Sequence, residues 1–194
     1  MRRAGAIVGA VLALLKRSVE PGITTRELDS IAQKEILGRG AKATFNGYRG
    51  FPANICTSVN EEIVHGIPGD RVIREGDIVS IDLGATYEGW VSDAAFTAPV
   101  GDVSQEALDL IRVTREALWC GIEAARMGNH LGDVSYAIGE QSNGYGIIEE
   151  YGGHGVGREM HEQPHIQNRG RRGAGMPLRK GMVLAIEPMV NLGQ

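Results

Sequence analysis

Residues 78–97 read IVSIDLGATYEGWVSDAAFT, and they constrain the fold more than any other part of the chain. Around Asp82 the order Val79, Ser80, Ile81, Asp82, Leu83 alternates as a half-buried strand does. Thr86-Tyr87-Glu88-Gly89 carries turn chemistry, with Gly89 able to take a positive φ. A four-residue turn there predicts an antiparallel hairpin in which Ala85 faces Trp90. Three steps outward on each arm, Asp82 then faces Asp93. Directly opposed residues have Cβ atoms about 4.5–5.5 Å apart, and like charges there destabilise the pair. Each ion also costs several kcal/mol to desolvate on a buried face. A shared cation is the simplest group that offsets both terms.

A chain of 194 residues suits one domain with a real core. It is 42% hydrophobic and 23% charged with net charge −4, a balance that gives no electrostatic reason for a nucleic-acid or anionic-membrane partner. Cys56 and Cys120 lie far apart and match no zinc spacing, which predicts two buried free thiols in a reducing compartment. The start, MRRAGAIVGAVLALLKRS, has the basic-then-apolar order of a signal peptide. Lys16 and Arg17 follow at once, however, without a small-residue cleavage site. Ile7, Val8, Val11, Leu12, Leu14 and Leu15 also fall on a helical stripe, and the run is too short to span a bilayer. These points predict a packed helix in a cytoplasmic protein.

The two halves of the chain echo each other. At an offset of 106, Gly22 aligns with Gly128, Gly38 with Gly144, Gly40 with Gly146 and Gly47 with Gly153. Phe45 falls on Tyr151, Leu28 on Val134 and Glu27 on Asp133. The plain reading is two related halves, each a pair of helices leading into strands. Helices are predicted over about 2–18, 25–38 (capped by Thr24 or Thr25), 104–126 (capped by Ser104, with Glu106 and Asp109 in its early turns) and 131–142. Strands are predicted near 54–59, 77–84, 90–97, 145–151, 163–167 and 182–190. Helices grouped outside antiparallel strands make an α+β architecture.

Three further segments look chemical. GGHGVGREMHEQPHI, residues 152–166, sets His154 between glycines and His161 seven positions on; the glycines let backbone come close to whatever His154 touches. VLAIEPMV, residues 183–190, puts Glu187 in an apolar run, with Pro188 marking an edge or strand end. SVNEEIVHGIPGD, residues 58–70, sets His65 just before a Gly-Ile-Pro turn. A lone histidine is more often structural, and either aspartate alone could equally serve a salt bridge. Together, Asp82, Asp93, His154 and Glu187 form a set of hard oxygens and one imidazole that suits divalent Co, Mn, Fe or Zn. Two such ions about 3.5–4 Å apart can share a water and make it a nucleophile. The chemistry these groups share is hydrolysis.

SVNEEIVHGIP, IDLGATYEGWVSDAAFT, GGHGVGREMHEQP and GMVLAIEPMV, in that order, resemble the type I methionine aminopeptidase family, and the similarity runs from Met1 to about Asn191. The resemblance implies the pita-bread fold of the creatinase/aminopeptidase group: pseudo-twofold halves with helices outside a curved antiparallel sheet. It implies a single metallopeptidase catalytic domain over 1–194 that removes the initiator methionine from nascent polypeptides with a two-metal centre. Asp82, Asp93, His154 and Glu187 would be metal ligands, with Asp93 bridging. His65 would contact the substrate near its amino end, and His161 would stabilise charge on the scissile carbonyl. Tyr48, Phe51, Cys56 and Met160 match positions lining the family's methionine pocket, though each could instead be ordinary core. The implied partner is the N-terminal Met of nascent peptides, with room for transient ribosome association; no membrane is implied, and a monomer is expected.

Two departures from the family pattern bear on activity. Its fifth ligand, a second glutamate on a later strand, has no counterpart before Gln194, and the family usually begins some residues before this Met1. The chain is therefore expected to be truncated at both ends, to lack the final C-terminal strands, and to be impaired on its own. One rival reading is an Xaa-Pro aminopeptidase or prolidase, which shares the GATYEGWVSD and HGVG…HE arrangements. Against it stand SVNEEIVHGIP, the EPM ending and the absence of an extra N-terminal domain. A second rival is a pita-bread binding module without catalysis. His154 and Glu187 are only 33 positions apart, which speaks against the insertion found in type II enzymes.

Overall fold

The apolar run near the N-terminus forms α1 (Arg2–Ser18) in the computed structural model, which describes residues 1–193; Gln194 lies outside the described residues. The chain divides into two units, one of Met1–Ala107 with Gly157–Met160, the other of Leu108–Val156 with His161–Gln194.

In the first unit α1 and α2 (Thr25–Gly38) cover one face of a four-stranded antiparallel sheet. Its strands are β1 (Lys42–Ala43), β2 (Cys56–Val59), β3 (Ile78–Tyr87) and β4 (Trp90–Pro99). β3 is central, with β4 along one side and β1 and β2 sharing the other. The period of two in β3 decides what each face does. Ile81, Leu83 and Ala85 enter a core with Val8, Val11 and Leu15 of α1 and Leu28, Ala32 and Ile36 of α2. Asp82, Gly84 and Thr86 point to the opposite face. Thr24 caps α2 as the sequence predicts: its Oγ1 accepts from Glu27 N at 3.2 Å, and Glu27 Oε2 accepts from Thr24 N at 2.8 Å.

The hairpin differs from the sequence expectation in one decisive way. Its loop holds two residues, Glu88 and Gly89, at φ 50 and 73, and Tyr87 pairs with Trp90. Positive φ at both loop positions is the type I′ turn, whose twist matches that of the flanking strands better than a four-residue loop does. Asp82 is therefore opposite Ala95, and Asp93 opposite Gly84. The aspartates are diagonal neighbours on one face, not a directly opposed pair.

The second unit contains α3 from Leu108 onward (the helix runs Gln105–Ala124, its start capped by Ser104) and α4 (Leu131–Gln141). Strands β5 (Gly146–Ile147) and β9 (Val190–Asn191) pair with each other. β6 (Gly152–Gly155) lies between β7 (Glu162–Gln167) and β8 (Leu184–Ala185). Ala117, Leu131, Val134, Ile138, Ile166 and Leu178 form its core. Of the strand predicted over 145–151 only β5 forms, residues 149–151 being exposed, and β6 is a strand that the sequence pattern does not predict. The run predicted over 182–190 breaks up, Pro188, which has no N–H to give a ladder, lying between β8 and β9.

The internal echo holds where the helices begin. His130 occupies the place of Thr24, and its N–H donates to Asp133 Oδ2 at 2.7 Å, as Thr24 N does to Glu27. Gly22 and Gly128 both take positive φ, 99 and 95, and Leu28 and Val134 are both fully buried. The later glycines do not correspond: Gly40 is left-handed at φ 71, whereas Gly146 is in a strand.

Leu83→Ala removes a fully buried side chain from the helix-facing side of β3. It is expected to cost about 2–5 kcal/mol in a urea-denaturation measurement. A cost under about 1 kcal/mol would mean that Leu83 faces away from the core.

Candidate metal centre

Each unit brings two of the expected ligands near one another, Asp82 with Asp93 in the first and His154 with Glu187 in the second. In the first unit Asp82 and Asp93 are half-buried diagonal neighbours, and such positions sit about 7–8 Å apart along the backbone. That spacing relaxes the repulsion expected of direct opposition and keeps both carboxylates on one face. Asp93 Oδ1 is buried. On the other side of β3, Cys56 lies opposite Asp82. Burial pushes its thiol well above the ordinary range, and the charges of Asp82, Asp93 and Asp29 add to the effect. Cys56 therefore stays a neutral, apolar wall element. Cys120 is also free but only half-buried, short of the burial expected for both thiols.

Gly84, between the aspartates on that face, is a place where a side chain would not fit. A Cβ there would lie 3.0 Å from Phe45 Cε1, 3.1 Å from Thr44 Cβ and 3.3 Å from Met160 Sδ. The missing methyl lets an aromatic ring and a thioether close over the strand beside Asp82 and Asp93. Phe45 packs edge-to-face on Phe51, ring centroids 6.3 Å apart. Tyr48 is half-buried in the short turn Tyr48–Gly50. Nothing in the local sequence pattern marks Phe45, six residues before Phe51, as sharing this wall.

The second unit builds its pair on β6. His154 is opposite His165 of β7 and Ala185 of β8. Glu187 is two residues past Ala185, beyond the end of β8, and its side chain meets that of His154. His154 Nδ1 lies 2.8 Å from Gly155 O. A carbonyl can only accept, so Nδ1 carries the ring proton. Nε2 then presents its lone pair to Glu187 Oε1, 3.0 Å away. Two lone pairs at that distance need a positive charge between them, either a proton or a metal ion. Glu187 Oε1 is buried and accepts no hydrogen bond of good geometry among the described residues. An imidazole anchored through one nitrogen on a backbone carbonyl, with the other aimed at a carboxylate, is how proteins prepare a metal ligand. These residues fit a divalent ion.

The glycines beside His154 serve the sheet itself. A Cβ at Gly153 would meet Ala185 O at 2.2 Å, and one at Gly155 would meet Gln163 O at 2.3 Å. His154 is 6% exposed between close-set neighbours, whereas His161 is exposed with its ring centroid 4.3 Å from that of His154. His65, in the first unit, is exposed and held at φ 60. The next residue, Gly66, fixes it there: Thr57 N donates to Gly66 O at 2.9 Å, and Gly66 N donates to Ser58 Oγ at 3.1 Å. A non-glycine residue in that conformation costs about 1–3 kcal/mol and persists only where its surroundings impose it.

The family model of metallopeptidase family M24 matches residues 1–194. The chain belongs to metallopeptidase family M24. Over its whole length it is 52% identical to the methionine aminopeptidase of Clostridium acetobutylicum, of which it covers 78%. Among solved structures, a methionine aminopeptidase from Thermotoga maritima matches with a TM-score of 0.97 and 45% identity, over all of this chain and 79% of that one. A prolidase from Pyrococcus furiosus matches at a TM-score of 0.78 and 26% identity, over 96% of this chain and 53% of that one. The fold of this M24 metallopeptidase is thus the pita-bread fold, and the chain is a hydrolase of a family that uses divalent metal. No helix among its described residues is long and apolar enough to cross a membrane.

In the native protein Cys56 is expected to resist iodoacetamide at mildly alkaline pH, where an unperturbed thiol reacts, and to be labelled once urea unfolds the chain. Peptide mapping checks this; rapid labelling of the native protein would show that the thiol is neither buried nor raised.

Proposed function

We propose that this M24 metallopeptidase is a methionine aminopeptidase that removes the initiator methionine from nascent polypeptides, with Asp82, Asp93, His154 and Glu187 as ligands of two divalent ions. The observation that carries the substrate assignment is the pattern of similarity. Relatives called methionine aminopeptidases match along the entire chain at up to 52% identity, while the prolidase match is weaker and covers about half of that protein. The fit of the His154–Glu187 pair to a cation supports the metal assignment. Co, Mn, Fe and Zn all suit a set of carboxylates and one imidazole.

When bound, the ions supply Lewis acidity, polarising the scissile carbonyl and making a water nucleophilic near neutral pH. The chain's own groups do the rest. Asp93 would hold both ions, its carboxylate supplying negative charge to each. His161 donates a hydrogen bond to the carbonyl oxygen as negative charge develops on it. His65, fixed by its left-handed backbone, receives the amino end of the substrate. Phe45, Phe51, Cys56 and Met160, with Tyr48 at the turn, enclose the thioether side chain. Unbranched and polarizable, methionine suits a wall of aromatic rings and neutral sulfur. The substrate implies a cytoplasmic setting and transient encounters with the ribosome.

Asp93→Ala is expected to abolish Mn²⁺ binding in calorimetry rather than only slow turnover; full metal stoichiometry in that variant would remove Asp93 from the bridge. His161→Ala is expected to keep its metal and lose about 10²–10³ in kcat, and an unchanged kcat would remove His161 from the mechanism. Assay of Met-Ala-Ser beside a Gly-Pro dipeptide tests the substrate class. Release of methionine from the tripeptide alone is the expected result, and cleavage of the Gly-Pro bond instead would select the prolidase reading.

A further inference from the structure

Glu187 stands in a stretch that no strand supports. β8 ends at Ala185 and β9 begins at Val190, and the two belong to different sheets. Pro188 has no N–H and cannot extend either ladder across the gap. A carboxylate that must meet His154 Nε2 at 3.0 Å is thus carried by backbone to which regular structure gives no register. One side chain supplies a fixed point. Asn168 Nδ2 donates to Glu187 O at 2.8 Å.

Asn168 is well placed to be rigid. It follows directly on β7, on the opposite side of β6 from β8, and is 2% exposed. Helix α4 closes over it at Gly139, where a Cβ would lie 3.4 Å from Asn168 O. The orientation of the amide follows from the contact itself, because Oδ1 turned toward Glu187 O would set two acceptors against each other. The bond has a cost: Asn168 Oδ1 is left buried without a hydrogen-bond partner among the described residues. What the buried amide contributes here is therefore its donor.

We propose that Asn168 is a positioning residue that sets the approach of Glu187 to the metal centre, supplying through its side chain the backbone hydrogen bond that the interrupted strand cannot. The inference rests on Glu187 being a ligand. It acts on metal affinity first and on turnover only in consequence. A group that merely fills space would change the stability of the metal-free protein and leave affinity alone.

The test titrates MnCl₂ into metal-free protein by calorimetry, with circular dichroism confirming the folded state at the working temperature. Asn168→Asp keeps the shape and removes the donor; Asn168→Ala removes both without adding a buried charge. Each is expected to weaken Mn²⁺ binding about 10–100-fold, and Glu187→Gln to weaken it at least as much. Wild-type affinity in a folded Asn168→Ala or Asn168→Asp, with Glu187→Gln impaired, overturns the positioning role and leaves the ligand assignment standing. Wild-type affinity in Glu187→Gln overturns both. A fall in the unfolding midpoint of the metal-free variants with no change in Mn²⁺ affinity assigns Asn168 to packing alone and also overturns the inference.

Discussion

Two lone pairs held 3.0 Å apart, on His154 Nε2 and Glu187 Oε1, cannot be left without a positive charge between them. Nearly everything around them acts to keep them there. Gly155 O takes the proton of Nδ1 and so fixes which nitrogen faces the carboxylate. Glycines at 153 and 155 let neighbouring strands close to distances that a methyl group would forbid. Asn168 pins the backbone of Glu187. Burial raises the cost of an uncompensated charge here, so the preference for a cation is strong.

The two units reach a similar local result. In the first, one sheet face is given to apolar packing against helices and the other is left to polar groups. There strand parity sets Asp82 opposite Ala95 with Asp93 at the diagonal, whereas in the second unit Glu187 lies two residues past Ala185, beyond the end of β8, and reaches His154 from there. In each unit, too, a helix begins where the N-cap residue's own N–H meets a carboxylate three residues on, Glu27 in one and Asp133 in the other. The resemblance lies in local grammar more than in every residue, since glycines that align in sequence take different conformations.

Much of this was legible in the sequence, because the signals were local. α1 shows its stripe of Ile7, Val8, Val11 and Leu15, α2 its capping pair, and the hairpin its alternation. The donors Asp82, Asp93, His154 and Glu187 stood out as polar residues in settings that should exclude them. What failed to show was set by tertiary context. A two-residue strand such as β1 has no periodicity to detect. The run at 182–190 reads as one strand, yet Pro188 divides it between two sheets. Phe45 and Asn168 matter through contacts with Gly84 and Glu187, far along the chain, and nothing near either residue announces those partners.

The length of the β3–β4 turn is the point where local sequence and chemistry meet most closely. A four-residue loop would set Asp82 against Asp93, with their Cβ atoms about 4.5–5.5 Å apart and their charges in direct conflict. The two-residue Glu88-Gly89 turn moves Asp93 along by two, which preserves the face and opens a gap between the carboxylates. A change of one residue in register would instead send Asp93 to the side of Leu83 and bury a charge in the core. Of the three registers, only the observed one keeps both carboxylates on one face without setting them directly opposite each other. Its selection rests on a left-handed Glu88 and on Gly89, whose φ of 73 suits a residue without a Cβ.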